Sequence, residues 1–317
     1  MTSLSPAPPE ELVHQACHEA GLGRLRQCRL YKSGPSHSVY RVLTPSGTVA
    51  VRVGRGNSVE SAWQQNSQLV SLCLAPRLLH DRATEFGRRK LRCTIWEWRR
   101  GRPLDPRRDV RRMADALGRL HRRTRGSRIA PVTEPDLRKF LRGSIFQSLR
   151  RADFRGATGG RLQRVAENVL GDRNQHGDWP ASFQCLVHND LVVGNILVES
   201  GRVWLIDWDW AMNASPALDL CGFLSPFVRS WDEELYLSRR GAAIFVRRYL
   251  SLFGRADARA ILGELVRAWD TYNAAVALWV YQFAGREQPH LRSHEFYQRA
   301  FARSVEISRW LKTQITT

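Results

Sequence analysis

The stretch LVHNDLVVGNILVESGRVWLIDWDWA, residues 186–211, decides the fold. Ile196–Glu199 and Arg202–Ile206 are short β-like runs on either side of Ser200-Gly201, a two-residue turn signal for a hairpin. Folding about that turn sets Asn195 opposite Ile206 and Asp207 opposite Gly194, so amide and carboxylate meet at the hairpin's open end. Two oxygen-bearing side chains placed there can share a hard cation such as Mg²⁺, which takes few protein oxygens and completes its shell with phosphate and water. Asp190 lies five residues before Asn195, in the loop feeding the first strand, where its carboxylate can face the same site. A carboxylate beside a metal-bound phosphate can orient a hydroxyl and take its proton. A plain hairpin or a buried polar loop would explain either half of the stretch alone. The four polar residues at these spacings favour the chemical reading.

Outward from this stretch, the chain changes texture near residue 100. Before it, Glu10–Ala20 carries Leu12, Val13, Ala16 and Cys17 at helical spacing and is stopped by Gly21-Leu22-Gly23. Gln27–Tyr31, Ser38–Leu43 and Thr48–Val53 read as an antiparallel meander, Glu60–Leu72 as a helix and Leu91–Trp98 as a further strand. After Arg100-Gly101-Arg102-Pro103 the chain is mostly helical, with helices expected at Val110–Arg122, Trp231–Leu252, Ala256–Phe283 and Glu295–Thr313 and a loop at Arg155–Gly160. The fold class expected is α+β: residues 1–100 form a small β-rich lobe, hinged to a larger helical lobe of residues 101–317.

Composition narrows the function classes. The 43% hydrophobic and 25% charged content is that of a soluble globular chain. No apolar run approaches the roughly 20 residues a membrane span needs, and the start, MTSLSPAPPEEL, lacks the regions of a secretory signal. Six scattered cysteines form no CxxC pair, which points to reduced thiols in a cytoplasmic protein. The net charge of +19 invites a nucleic-acid reading. Only four of the 49 basic residues are lysine, however, the arginines are spread from Arg24 to Arg309, and the densest patches, Arg107–Arg112 and His121–Arg128, read as the solvated face of a helix, so no nucleic-acid partner is expected.

His188-x-Asp190-x4-Asn195 followed by Asp207 resembles the catalytic and metal-binding signature of the aminoglycoside phosphotransferase and choline kinase superfamily, small-molecule relatives of protein kinases. The resemblance implies the protein-kinase-like fold, Asp190 as catalytic base, His188 as the loop's structural histidine, and Asn195 and Asp207 as holders of Mg²⁺. Ile206–Ala211 looks like the IDWEYA run of choline- and thiamine-kinase-like members. Asp219 matches an Asp-Leu that supports the loop from a following helix, and Leu120-His121 is a weaker match. For ATP the resemblance implies the Ser33–Ser38 loop (Ser33, Gly34, Ser36, Ser38) over the phosphates and Arg52, in place of the usual lysine, on the α/β-phosphates. The hinge, Trp96, Glu97 and Trp98, would meet adenine through its backbone. The helix glutamate that pairs with such a cation has no clear counterpart: Glu60 is the sole acid between Arg55 and Leu74, and the aligned positions fall nearer Gln64 or Gln65.

The acceptor is read from aromatic and acidic residues of the larger lobe. Trp210, Trp269 and Trp279 with Asp209 and Asp270 could enclose a quaternary ammonium or thiazolium ring, as cation–π contacts allow, although residues 269–281 also suit a core helix face. Asp232-Glu233-Glu234 reads as helix capping, with Ser230 and Glu233 spaced as a capping box. The expected activity is therefore an ATP- and Mg²⁺-dependent phosphotransferase acting on a choline-, ethanolamine- or thiamine-like alcohol. An aminoglycoside or other antibiotic is the alternative acceptor. A catalytically idle scaffold that binds a nucleotide or a protein is the rival of another class, and the presence of Asp190, Asn195 and Asp207 together argues against it.

Overall fold

The computed structural model describes residues 10–33, 37–54, 69–72, 74–86, 89–130, 134, 136–151, 154, 156–171, 183–229, 237–284, 291 and 293–315. The chain divides into two compact units, Met1–Arg102 with Trp204–Asp209, and Pro103–Val203 with Trp210–Thr317. The run holding Asp207 and Asp209 thus counts with the first unit, although it lies far downstream in sequence.

In the first unit, helix α1 (Glu10–Glu19) precedes strands β1 (Gln27–Ser33), β2 (His37–Thr44), β3 (Gly47–Gly54), β4 (Leu78–Phe86) and β5 (Arg89–Glu97). They form one antiparallel sheet in the order β1-β2-β3-β5-β4. Strand alternation sets its two faces. Tyr40 and Val42 of β2, Val49, Val51 and Val53 of β3 and Ile95 of β5 point one way and pack against Leu12, Val13, Ala16 and Cys17 of α1. Those helix positions recur on one face, and Gly21, at φ +68, ends the helix in a conformation that glycine adopts without strain. Strand β4 was not expected. Its sequence, LLHDRATEF, lacks apolar alternation, and it lies at the sheet edge, where charged residues discourage further pairing. Of the helix expected over Glu60–Leu72, residues 69–71 are helical, and residues 60–68 lie outside the described residues.

In the second unit, α2 (Val110–Arg123), α3 (Leu137–Arg151), α4 (Gly156–Gly171), α5 (Ala217–Leu224), α6 (Pro226–Arg229), α7 (Arg239–Leu250), α8 (Arg255–Trp279) and α9 (His294–Ile315) make up the helical part. Ile145 of α3, Leu162 and Ala166 of α4, Leu278 of α8 and Tyr297 of α9 share one core. The loop expected at Arg155–Gly160 is a correction, since α4 begins at Gly156. One of its glycines serves close approach: a Cβ on Gly159 would stand 2.6 Å from the backbone carbon of Phe154. Helix α7 starts at Arg239, with Ser238 Oγ accepting from the Gly241 N–H. Residues 230–236, including the expected capping box, lie outside the described residues. Among the described residues no helix is long and apolar enough to cross a membrane, and the cysteines among them are free thiols.

Candidate active site

After the short strand β6 (Arg102–Pro103), strands β7 (Cys185–Val187) and β10 (Met212–Ala214) pair antiparallel in the second unit, with Val187 opposite Met212. This pairing brings the loop that starts at His188 to the beginning of α5. There Asp219, buried in the first turn of α5, makes no cap of its own helix and instead holds the loop. Asp219 accepts from the His188 N–H at 2.9 Å, the Asn189 N–H at 2.8 Å and His121 Nε2 at 3.0 Å, while His121 Nδ1 lies 2.8 Å from the Tyr249 hydroxyl. Burial of Asp219 opposes its charge, but the hydrogen bond from His121, the fields of His121 and His188 and the His188 N–H outweigh it. Its pKa is therefore held below the ordinary carboxylate value. Burial also drives the Tyr249 hydroxyl far above its usual range, so it stays a neutral partner.

The anchored loop makes a tight turn. Asn189 adopts φ +60, a left-handed conformation that asparagine tolerates better than most residues, and its side-chain Nδ2 donates to the Trp210 carbonyl at 3.3 Å. The buried His188 accepts from the Asp190 N–H at 3.3 Å, so its ring supports the loop's backbone. A 3-10 turn, Val193–Asn195, leads into β8 (Ile196–Glu199), and Ser200 and Gly201, both at positive φ, turn the chain into β9 (Arg202–Leu205). At the foot of β8, Asn195 Nδ2 donates to the Asp190 Oδ2 at 2.8 Å and to the Asp190 carbonyl at 3.1 Å. This pair of hydrogen bonds to Asp190 orients the amide, so the oxygen it turns away from Asp190 is Oδ1, a hard donor suited to a divalent cation. Asp190, His188 and Asn195 are thereby brought together.

In the first unit, Arg52 projects from β3 on the face opposite Val49, Val51 and Val53. Its guanidinium meets Asp209 with both terminal nitrogens, Nη1 donating to Oδ1 at 2.6 Å and Nη2 donating to Oδ2. Asp207 Oδ1 lies 3.6 Å from Nη1, and His37 Nδ1 lies 3.1 Å from Nη2. Burial disfavours the arginine's charge, but the hydrogen bond and field of Asp209, with that of Asp207, more than restore it, raising the pKa above the usual arginine value. Burial and the neighbouring Arg52 lower His37, against the pull of Asp207 and Asp209. Asp207 itself sits at φ +64, an uncommon conformation for a residue with a side chain, of the kind that clusters at functional sites. Its carboxylate supplies hard oxygens that fit a divalent ion.

The remaining expected residues divide. Ser33 and Ser38 pair across the β1–β2 hairpin with their hydroxyls 3.0 Å apart, and Ser38 is buried; Gly34 and Ser36 lie outside the described residues. Trp96 Nε1 donates to Thr94 Oγ1 at 3.0 Å, and Trp98 stacks edge-on with Tyr31 beneath the Arg41 guanidinium. The Glu97 N–H is taken by the Arg77 carbonyl at 2.9 Å, which leaves that amide engaged within the sheet. Among the acceptor candidates, Trp269 is fully buried (0% exposed) and its Nε1 donates to the Ser304 carbonyl at 3.1 Å, so it is a core residue and not a ligand contact. Trp210 is 64% exposed and Trp279 46% exposed, while Asp270 faces Ser308 at 3.3 Å and Lys312 at 3.6 Å. Sequence reasoning missed Tyr249, whose one signal is a buried hydroxyl, and Asn189, whose signal is its tolerance of the left-handed turn.

The sequence matches the phosphotransferase enzyme family over residues 27–261. Among curated proteins no sequence matches. Solved structures with the same fold include spectinomycin phosphotransferase APH(9)-Ia in complex with ADP and spectinomycin, 13% identical at a TM-score of 0.66, covering 97% of this chain and 99% of that one. A choline/ethanolamine kinase family protein from Mesorhizobium loti is 18% identical at a TM-score of 0.61, with 97% and 99% covered. An aminoglycoside phosphotransferase from Alicyclobacillus acidocaldarius is 17% identical at a TM-score of 0.63, with 99% and 98% covered.

Proposed function

The chain belongs to the phosphotransferase enzyme family, and from that premise we propose that it transfers the γ-phosphoryl group of ATP to the hydroxyl of a choline-, ethanolamine- or thiamine-like alcohol. The observation that carries the reading is the loop at Asp190, whose carboxylate is fixed by the Asn195 amide and whose backbone is moored to the buried Asp219. A base so restrained costs little reorganisation when a hydroxyl arrives, which is where positioning contributes most to phosphoryl transfer. The acceptor oxygen forms its bond to the γ-phosphorus as the bond to the ADP oxygen breaks, and the hydroxyl proton passes to the Asp190 carboxylate.

Asn195 Oδ1 and the Asp207 carboxylate would hold Mg²⁺, which when bound neutralises phosphate charge. Arg52, whose terminal fork is held by Asp209, would meet the α/β-phosphates through the guanidinium N–H groups turned away from that carboxylate. Adenine lies along the Trp96–Trp98 segment.

Support for a cationic acceptor comes from Trp210. The residue is 64% exposed, and its carbonyl is tied to the loop through Asn189. An exposed indole on a residue tied to this loop could offer a cation–π face to a single ammonium or thiazolium charge. The net charge of +19 weighs against a multiply cationic antibiotic. The test is transfer from radiolabelled ATP to a panel of choline, ethanolamine, thiamine and aminoglycosides. The proposal expects label on one of the first three, and label on an aminoglycoside alone would replace that acceptor class.

A further inference from the structure

Strand alternation puts Arg52 on the open face of β3, but a flexible arginine there could adopt many rotamers. Asp209 removes that freedom. With both of its oxygens on both terminal nitrogens of Arg52, the pair is bidentate, and a fork-to-fork pair fixes the plane of the guanidinium as well as its position. His37 adds a third constraint at Nη2, 3.1 Å away, and Asp207 stands 3.6 Å from Nη1. The Arg52 side chain is 21% exposed and Asp209 49% exposed, so the pair adds little to stability and its effect is directional.

We propose that Asp209 is the positioning residue that holds Arg52 in the orientation needed to grip the nucleotide's phosphates. The inference rests on the phosphotransferase reading and deepens it. The family resemblance gives this duty to a helix glutamate, yet the one acid between Arg55 and Leu74, Glu60, lies outside the described residues. Asp209 supplies the bond from the other end of the chain, 157 residues away. The assignment also moves Asp209 out of the acceptor site expected from sequence, because a carboxylate with both oxygens on a guanidinium is poorly placed to serve an ammonium ligand.

The position of Asp209 has a chemical consequence. It follows Asp207 by two residues in the run Trp204–Asp209, so one short segment carries both a metal-holding carboxylate and the partner of the phosphate-gripping cation. Any displacement of that segment disturbs both phosphate contacts together.

The experiment is a double-mutant cycle on Mg–ADP affinity, measured by calorimetry on the full chain with wild type, Asp209→Asn, Arg52→Ala and the double variant. If Asp209 acts through Arg52, Asp209→Asn weakens Mg–ADP about tenfold alone and by less than about twofold in the Arg52→Ala background. Asp209→Glu, which keeps the carboxylate, retains most of the affinity. Melting temperatures stay within about 2 °C of wild type, as befits a half-exposed pair. Unchanged affinity in Asp209→Asn, or losses that multiply independently, would overturn the proposal. A raised acceptor KM with unaltered Mg–ADP affinity would return Asp209 to the acceptor site. Wild-type protein that fails to bind Mg–ADP at all would sink the nucleotide reading itself, a result distinct from either of these.

Discussion

Asparagine at position 219 is a small change in shape and a large one in chemistry. In the native protein the two carboxylate oxygens accept three hydrogen bonds, from the Asn189 N–H at 2.8 Å on Oδ1 and from the His188 N–H at 2.9 Å and His121 Nε2 at 3.0 Å on Oδ2. An amide has one acceptor oxygen, so its best orientation keeps the two bonds at Oδ2 and turns its NH₂ toward the Asn189 N–H. One charge-assisted bond is lost, worth about 1.5–3 kcal/mol, and a buried donor faces another donor. The two bonds that remain fall from charged to neutral strength, so the whole change destabilises by about 3–4 kcal/mol. At about 2–4 °C per kcal/mol for a chain of this size, the melting temperature drops by about 10 °C. Activity measured below both transitions falls as well, because the loop bearing Asp190 has lost its mooring. The pH dependence carries a sign. Asp219 has a depressed pKa in the folded state, so its contribution is fully present above the ordinary carboxylate value near ~4 and fades as pH falls through the folded value. The gap between wild type and Asp219→Asn therefore narrows on acidification below about pH 4. The assay is thermal unfolding by circular dichroism at neutral and acid pH, with turnover alongside. A shift of less than about 2 °C with wild-type turnover would refute the reasoning.

Asp190→Ala removes the proposed proton acceptor, while the backbone carbonyl at position 190 still holds the Asn195 amide. Turnover on the true acceptor falls by about 10²–10⁴-fold while Mg–ADP affinity is unchanged, and retained turnover would unseat Asp190 as base. Trp269→Ala empties a core position, at 0% exposure, and lowers stability by about 3–5 kcal/mol without altering the acceptor KM in folded protein. A raised acceptor KM with an unmoved melting curve would restore that indole to the ligand site.

What could be read from sequence follows from the range of the interactions involved. The hairpin was legible because its turn is local: Ser200 and Gly201 accept the positive φ that a two-residue connection demands. The α1 and α2 helices were legible because their apolar positions recur on one face. Strand β4 was not, since LLHDRATEF carries no apolar alternation to mark it, and α4 was missed because glycine reads as a breaker even where a Cβ would strike Phe154. In the site, the spacing from His188 to Asn195 was visible, while the partners that give it meaning lie far off in sequence. Asp219 looked like a possible helix cap and instead accepts from a loop 30 residues upstream, and Asp209 looked like an acceptor contact and instead grips Arg52. Trp269 illustrates the opposite error, an aromatic residue read as a ligand face because composition does not distinguish a cage from a core.

The proposed function depends on Asn195 and Asp207 as the residues that would hold Mg²⁺. Calorimetric titration of ADP with and without Mg²⁺, on wild type and Asp207→Ala, tests it most directly. The expected result is that Mg²⁺ strengthens ADP binding to wild type and that this metal-dependent gain disappears in Asp207→Ala. Identical gains in the two proteins would contradict it.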